Sequence, residues 1–269
     1  MDIWFTIEKI DSQTFVLSEY KHWEETHCYL LCGEDKALLI DTGLGVSNIK
    51  EVVEELTDLP VTVFTTHIHW DHIGGHRYFD CIGVHKEEKE WLSKKFPLPL
   101  EVVKKQLTEK AHNFPCDFNI DDYKIFQVKP QIVFQDGYTF DLGERTIEVI
   151  HTPGHSPGHC CFYEHERKYL YSGDLIYKGC LYAYYPTTDP QLFYESIKKL
   201  RKYDIERVLP GHHYLNIASS LINEIEAGFR LLESRGDLKH GKGIFDFGNY
   251  QIWIWSLNYT RYIPTYEVF

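Results

Sequence analysis

The segment His67–His72, with the sequence HIHWDH, contains the densest group of metal-binding side chains in the chain. It places three imidazoles and the Asp71 carboxylate directly after the apolar run at residues 61–64. Polar groups packed this closely are costly to bury unless they bind something. Imidazole and carboxylate are ligands of zinc and neighbouring transition metals. The segment therefore predicts a metal site, and its side chains are enough to contribute to two adjacent ions.

Ligand-type residues also follow four other apolar, strand-like runs. They are Asp41 in Asp-Thr-Gly, His155 in Thr-Pro-Gly-His, Asp174 in Ser-Gly-Asp and His212 in Pro-Gly-His. Each motif alone is typical of a turn or a helix cap. Catalytic groups commonly lie on loops at the carboxyl ends of buried strands. The repeated pattern, taken with the histidine cluster, therefore predicts one shared site.

The elements that would position these residues come in two successive blocks of strands followed by helix. The first block has strands within 3–18, 27–41 and 61–66, and a helix that Ser47 would cap and that runs to Leu56. The second has strands at 131–140, 144–150, 160–164 and 168–171, helices at 190–203 and 215–235, and a last strand at Tyr250–Trp255. This order predicts an α/β fold with two packed sheets and helices outside, a four-layered αββα sandwich.

Residues 84–128 lie between the two blocks. Residues 84–111 are charged and predicted to be helical, with a break at Phe96–Leu100, and residues 112–128 are predicted to be a loop. We interpret this segment as an insertion or lid within a single domain spanning residues 1–269.

On these motifs the sequence resembles the metallo-β-lactamase superfamily, from about residue 10 to residue 235. The resemblance implies the αββα metallo-β-lactamase fold with a dinuclear metal centre at one edge of the paired sheets. It implies that one ion is held by His67, His69 and His155, and a second by Asp71, His72 and His212. Asp174 would bridge the ions and Asp41 would support the ligand loop. Zinc is the expected metal, with iron or manganese as alternatives. His76, His151, His159 and His213 are not assigned as ligands.

The resemblance also implies a hydrolase in which a metal-bridging hydroxide, oriented by Asp71, attacks a carbonyl. Asp174 stands where the best-known true β-lactamases carry Cys, so the expected substrate is a small thioester, lactone or ester. An iron-dependent oxidative member, similar to sulfur dioxygenases, stays open, as does a non-catalytic metal-binding protein. β-Lactamase and ribonuclease activities rank below these.

Two groups of tyrosines are candidates for contact with the substrate. Tyr177 has the Asp-x-x-Tyr spacing of acyl-homoserine lactonases, where its hydroxyl would donate to the developing oxyanion; packing is the alternative. The stretch Leu181–Pro186 is predicted to be a loop at the metal mouth, with Tyr182 and Tyr184 on one side if it is extended. Ordinary packing against residues 84–128 explains these two residues equally well.

Composition limits the expected binding partners and the expected cellular location. A formal charge of −12 argues against nucleic-acid binding. The start of the chain is unlike a signal peptide, and no apolar run reaches the ~18 residues of a membrane span. Most of the seven cysteines are expected to be reduced thiols. We therefore expect a cytoplasmic protein that is not bound to a membrane. Aromatic residues within Phe245–Trp255 leave a homo-oligomer open.

Overall fold

A computed structural model describes residues 4–110 and 113–254 of the chain. Seven strands form the first sheet in chain order: β1 Thr6–Asp11, β2 Thr14–Ser18, β3 His27–Cys32, β4 Ala37–Ile40, β5 Val61–Phe64, β6 Ile82–His85 and β7 Ile132–Phe134. Strands β1 to β4 pair antiparallel, whereas β4 to β7 pair parallel. Because β4, β5 and β6 are parallel, the loops that follow them leave the sheet at the same edge.

The second sheet contains five strands: β8 Thr139–Asp141, β9 Thr146–His151, β10 Cys160–Glu164, β11 Tyr169–Gly173 and, later in the chain, β13 Arg207–Pro210. Their order in the sheet is β13-β11-β10-β9-β8, and the β11–β13 pair is parallel. A small third sheet is formed by β12 Cys180–Tyr182, β14 Ile244–Asp246 and β15 Gln251–Trp253, with β15 in the middle.

Within the described part of the chain, six α-helices connect or cover the sheets: α1 Ile49–Leu56, α2 Trp70–Ile73, α3 Lys89–Ser93, α4 Leu100–Leu107, α5 Pro190–Lys199 and α6 Ser220–Ser234. Short 3-10 turns occupy His76–Tyr78, Lys86–Glu88, Ile120–Asp122 and Leu200–Lys202. None of the helices in residues 4–110 and 113–254 has the length and apolar character needed to cross a membrane.

The four layers follow from the alternation of side chains along buried strands. In β3, Leu31 points into a core between the two sheets, together with Phe64 and Phe162. Its neighbour Leu30 points into the outer core that α1 covers. The opposite outer core lies between the second sheet and helices α5 and α6, and includes Val208, Phe193 and Ile225. The predicted αββα sandwich is thus confirmed.

The first helix begins one residue later than Ser47 would allow. Its N-cap is Asn48, whose side-chain oxygen accepts a hydrogen bond from the Lys50 amide at 3.1 Å. The prediction of Ser47 as the cap was therefore wrong. Both residues are good N-caps, so composition alone does not choose between them.

The segment 84–128 is packed against the first sheet. Val103 and Leu107 on α4 are fully buried in the outer core, and the Tyr123 hydroxyl donates to the Leu44 carbonyl at 3.1 Å. The segment also begins inside strand β6, which is only four residues long and was not predicted. A lid role for the segment stays a prediction.

The last described strand is shorter than predicted. It covers Gln251–Trp253, and Trp255 lies outside the described residues. Ile252 and Ile254 are buried in the outer core beside α6. This part of the C-terminal segment therefore packs on its own domain.

Candidate metal centre

Seven side chains from four segments of the chain meet at one edge of the sandwich. They are His67, His69, Asp71, His72, His155, Asp174 and His212, and all but His69 are buried. Their ligand atoms form three groups that can each hold a metal ion: His67 with His69 and His155, His67 with His72 and Asp174, and Asp71 with His72 and His212. The structure therefore brings together every residue that the sequence nominated as a ligand.

Local structure explains how neighbouring residues reach different parts of this cluster. His67 lies in the loop after β5, His69 has an extended backbone, and helix α2 begins immediately after His69. The helical turn then brings Asp71 and His72 to the second half of the site, where the His72 ring centroid stays 4.2 Å from that of His67. Extended backbone followed by a helical turn thus divides one short motif between two halves of the site.

The first half of the site is an imidazole triad. Nδ1 of His69 lies 3.0 Å from Nε2 of His67 and 3.0 Å from Nε2 of His155. Ligand nitrogens around a tetrahedral zinc ion lie about 3.3 Å apart, as follows from a zinc–nitrogen distance of ~2.0–2.1 Å. The triad is therefore spaced to fit a metal of this size.

The second half combines imidazole and carboxylate. Nε2 of His72 lies 3.2 Å from Nε2 of His212. Oδ2 of Asp71 lies 3.7 Å from the former nitrogen and 3.6 Å from the latter. Two nitrogens and one carboxylate oxygen thus converge on one point, as the ligands of a divalent ion do.

Asp174 lies between the two halves. Its Oδ1 is 3.2 Å from Nε2 of His72 and 3.1 Å from Nε2 of His212, whereas its Oδ2 is 3.4 Å from Nε2 of His155. Oδ1 is buried yet forms no hydrogen bond within the described chain. A buried carboxylate oxygen usually has such a partner. The donor set and this oxygen therefore fit a cation between the side chains.

The electrostatics of the two halves differ. Burial lowers the pKa of His67 and His155 well below the usual value and that of His69 to about 4, so the triad is neutral, as metal ligands must be. Burial also lowers the pKa of His72 and His212, but the Asp174 carboxylate outweighs it and leaves His212 at about 9. The carboxylates of the second half thus attract positive charge, which a divalent ion supplies.

Hydrogen bonds hold three of the imidazoles in place through Nδ1. His72 contacts Oδ2 of Asp41 at 2.8 Å, His212 donates to the Glu24 carbonyl at 2.8 Å, and His155 donates to the Tyr182 carbonyl at 3.3 Å. A carbonyl only accepts, so Nδ1 of His155 and of His212 carries a proton, and Nε2 of each ring faces the cluster as the atom available to a metal. This is how protein metal sites orient their ligands.

The remaining histidines are bound to other groups. His76 lies between the hydroxyls of Thr42 and Thr65, at 2.6 and 2.7 Å. Nε2 of His159 accepts from the Asp174 amide at 3.1 Å. His151 donates to the Pro157 carbonyl at 2.9 Å, and His213 contacts Glu25 at 3.2 Å. None of these four belongs to a metal-competent group of the described residues.

Tyr177 lies beside the second half of the site. Its ring centroid is 5.7 Å from that of His212, its side chain is buried, and its hydroxyl donates to the Cys180 carbonyl. A phenol has one proton to donate, so donation to an oxyanion would require this hydrogen bond to be exchanged. The catalytic role of Tyr177 stays a prediction.

Aromatic side chains continue from the first half of the site. The Tyr182 ring lies edge-on to the rings of Tyr184 and Trp253, with centroid distances of 5.8 and 5.7 Å. The ring centroids of Tyr184 and Tyr185 are 4.3 Å apart. We call these four residues the aromatic wall. Tyr182 was predicted to lie in a loop but belongs to β12, which pairs with β15 and so aligns Tyr182 with Trp253. Trp253 itself was not predicted, because its partner Tyr182 lies 71 residues earlier in the chain.

One further contributor was missed. Glu88 is fully buried and hydrogen-bonded to the backbone of both Ile68 and Gly158, which lie in two ligand loops. Its only sequence signal is an acidic residue shortly after a short strand, which usually marks a solvated helix start.

Comparisons with known proteins agree with this geometry. A family model of the metallo-beta-lactamase superfamily matches residues 23–212. The chain is 28% identical over 228 residues to the acyl-coenzyme A thioesterase MBLAC2 of Homo sapiens, covering 78% of this chain and 81% of that protein. It is 30% identical over 202 residues to the hydroxyacylglutathione hydrolase GloC of Haemophilus influenzae, covering 70% and 85%.

Solved structures share the architecture. A metallo-beta-lactamase from Pontibacter korlensis aligns with a TM-score of 0.61 and 20% identity, over 84% of this chain and 99% of that chain. The BLEG-1 B3 metallo-beta-lactamase aligns with a TM-score of 0.55 and 24% identity, over 79% and 93%. At these identities the alignments establish the fold.

Proposed function

The chain belongs to the metallo-β-lactamase superfamily, and we propose that it is a dinuclear metal-dependent hydrolase acting on small thioesters. The observation that most directly supports two ions is the placement of Asp174. One of its oxygens faces His72 and His212, and the other faces His155. A carboxylate shared in this way is the arrangement of two-metal hydrolytic sites.

In this proposal His67, His69 and His155 would hold one ion, Asp71, His72 and His212 would hold the second, and Asp174 would be shared between them. Three neutral imidazoles suit zinc, and the mixed set of the second half accepts zinc, iron or manganese. We propose zinc in both. Bound divalent ions would supply a hydroxide nucleophile at neutral pH and polarise the substrate carbonyl.

The protein's own groups would then orient the reactants. Asp71 lies at the edge of the second half, 3.6 Å from Nε2 of His212, where its second carboxylate oxygen can accept a hydrogen bond from the attacking water. Asp41 fixes the His72 ring from behind. The nucleophile is therefore water, and buried thiols such as Cys160 and Cys161 have no part in the chemistry. Burial raises the pKa of both thiols, which disfavours thiolate.

The similarity to an acyl-coenzyme A thioesterase and to a hydroxyacylglutathione hydrolase favours thioesters over lactones. A lactone or simple ester presents a similar carbonyl and is the second candidate. The oxidative alternative would require iron as the bound metal. The non-catalytic alternative would require a metal site that binds ions without turning over a substrate. All seven cysteines are free thiols in the structure, which supports a location in a reducing compartment such as the cytoplasm.

The acyl part of the substrate is proposed to lie along the aromatic wall. The wall begins at Tyr182, whose backbone carbonyl accepts a hydrogen bond from His155 at 3.3 Å, so the wall adjoins the point where the substrate carbonyl would react. Trp253, at its far side, lies outside the residues matched by the family model, 23–212. Half-buried aromatic rings offer an uncharged acyl group a large contact area.

The decisive experiment uses protein of known metal content. Acyl-CoA and glutathione thioesters, acyl-homoserine lactones, simple esters and a chromogenic β-lactam would be assayed with two equivalents of zinc. We expect kcat/KM for a thioester to exceed that for any other class at least tenfold. Metal-stripped protein is the control, and zinc should restore turnover. Equal rates on lactones would overturn the substrate class, and oxygen uptake by the iron-loaded protein would favour the oxidative alternative.

A further inference from the structure

Glu88 joins two loops that carry metal-type residues. The Glu88 residue follows strand β6, which is next to β5 in the first sheet, and β5 leads into His67. The loop that holds His155 belongs to the second sheet, between β9 and β10. The Glu88 side chain therefore spans from one sheet to the other at the edge where the metal-type residues lie.

Each oxygen of the Glu88 carboxylate serves one loop. Oε2 accepts the Ile68 amide at 2.5 Å, and Ile68 lies between His67 and His69. Oε1 accepts the Gly158 amide at 2.9 Å and the hydroxyl of Ser156, the residue after His155. The three imidazoles of the first half are thus positioned from one carboxylate.

The packing around Glu88 is also specific. Gly158 touches the side chain so closely that a Cβ on it would lie 2.7 Å from Cγ of Glu88. Glu88 has no exposed surface, and it forms no ion pair with the described residues. Burying a carboxylate without a cationic partner is unfavourable unless hydrogen bonds compensate. A cost of this kind, in a group that no chemical step uses, points to a positioning role.

We infer that Glu88 is a positioning residue that sets the metal affinity of the His67, His69 and His155 triad by fixing the spacing of its two loops. The inference rests on the metal site proposed above, though not on the substrate. Glutamine at position 88 keeps the shape but turns one oxygen into an NH₂ group, which then faces an N–H or O–H donor. One of the two loops must therefore move.

The test measures zinc binding without turnover, by competition with a chromophoric chelator on the full-length protein. Glu88→Gln should weaken zinc binding by the His67, His69 and His155 triad about 10- to 100-fold, the usual effect of losing a group that orients ligands. Ser156→Ala removes one of the three donors and should give a smaller loss in the same direction. Ser156→Ala therefore tests the inference even if the Glu88→Gln variant does not fold.

Glu164→Gln is the matched control. Glu164 is equally buried, but it pairs with Arg145 at 2.8 Å, at the opposite end of strand β10 from Cys160. This variant should lower the melting temperature and leave zinc affinity within twofold of the native value. Native zinc affinity in Glu88→Gln and Ser156→Ala would overturn the inference, as would an equal loss in Glu164→Gln. A protein that binds zinc as predicted yet hydrolyses no thioester would contradict the proposed function alone.

Discussion

Nδ1 of His72 lies 2.8 Å from Oδ2 of Asp41, and both side chains are buried. Asp41 adopts a backbone φ of 60°, a left-handed conformation that Asp tolerates better than most residues. The same carboxylate accepts the amide and the hydroxyl of Thr66, at 2.8 and 2.7 Å. Asp41 thus holds the residue before His67 and the ring of His72 at once.

Replacing this carboxylate should disturb both halves of the metal site. We expect Asp41→Ala to lower metal affinity or kcat/KM about 10- to 100-fold, because His72 loses the contact that orients its ring. Metal content after dialysis and steady-state kinetics would measure the effect. Asp35→Ala, at an exposed turn position, is the control and should change neither. Native metal content in Asp41→Ala would contradict the orienting role.

Asp71 should matter for both metal and turnover. We expect Asp71→Ala to release the second ion more easily and to reduce kcat about 10²-fold or more, the usual range for losing a group that handles the proton of a nucleophile. Kinetics at saturating zinc separate the two effects, because added metal restores occupancy but not the carboxylate. Asp80→Ala, an exposed acidic residue after the same motif, should behave as the native protein. Full activity of Asp71→Ala would rule out the assigned mechanism.

Tyr177 offers a clear choice between packing and catalysis. Its hydroxyl already donates to the Cys180 carbonyl, so we expect Tyr177→Phe to lose about 1 kcal/mol of stability and to keep kcat within threefold. Loss of an oxyanion donor would instead lower kcat about 10²- to 10³-fold. Thermal unfolding and kcat measured on the same preparation distinguish the two. Metal content should stay native in either case.

His76 makes the fold sensitive to acid. Burial lowers its pKa to about 3, far below the value of an exposed imidazole, so the folded protein keeps this ring neutral between the Thr42 and Thr65 hydroxyls. Below pH ~6.5 the unfolded chain binds a proton that the folded chain does not, so stability falls as the pH drops from ~6.5 towards 3.

His76→Gln isolates this contribution. Glutamine does not titrate, so the loss of unfolding free energy between pH 7 and pH 5 should be about 2 kcal/mol smaller than in the native protein. Urea unfolding at the two pH values measures it. The comparison of slopes remains valid even if the variant is less stable at both pH values. Equal slopes would show that His76 is not held neutral by the fold.

The sequence predicted the αββα layers because the buried strands are continuous apolar runs and each metal-type residue follows one of them. The same regularity brought Asp174 and His212 into one cluster, since β11 and β13 are parallel neighbours. Contacts between distant segments escaped prediction. Strand β6 is too short to stand out, and the Glu88 contacts depend on how the two sheets dock.

Small sheets built from strands that are distant in the chain also escaped prediction. Tyr182 and Trp253 become neighbours only because β12 and β15 pair in parallel, although the two residues are 71 positions apart in the chain. Neither strand has a pattern longer than three residues, which is too short for a period to be recognised. The tyrosines at 182 and 184 were recognised as candidates, but their tryptophan neighbour was not.

Trp253 therefore gives the most specific prediction about substrate choice. It lies edge-on to Tyr182 at 5.7 Å, and its indole N–H donates to Gln251 at 2.8 Å, which fixes the ring. If the acyl group lies along the aromatic wall, Trp253→Ala should raise KM for long-chain thioesters about tenfold or more and leave KM for acetyl thioesters nearly unchanged. The reason is that burying each CH₂ contributes about 0.8 kcal/mol, so only long chains reach far enough to lose contact.

Phe247→Ala is the matched control, because Phe247 belongs to the same C-terminal segment but stacks on Tyr250 at 5.1 Å, away from Tyr182. A chain-length series of thioesters on both variants would show an acyl contact as a KM effect that grows with length in Trp253→Ala alone. A uniform loss at every length would instead mean that Trp253 supports the fold.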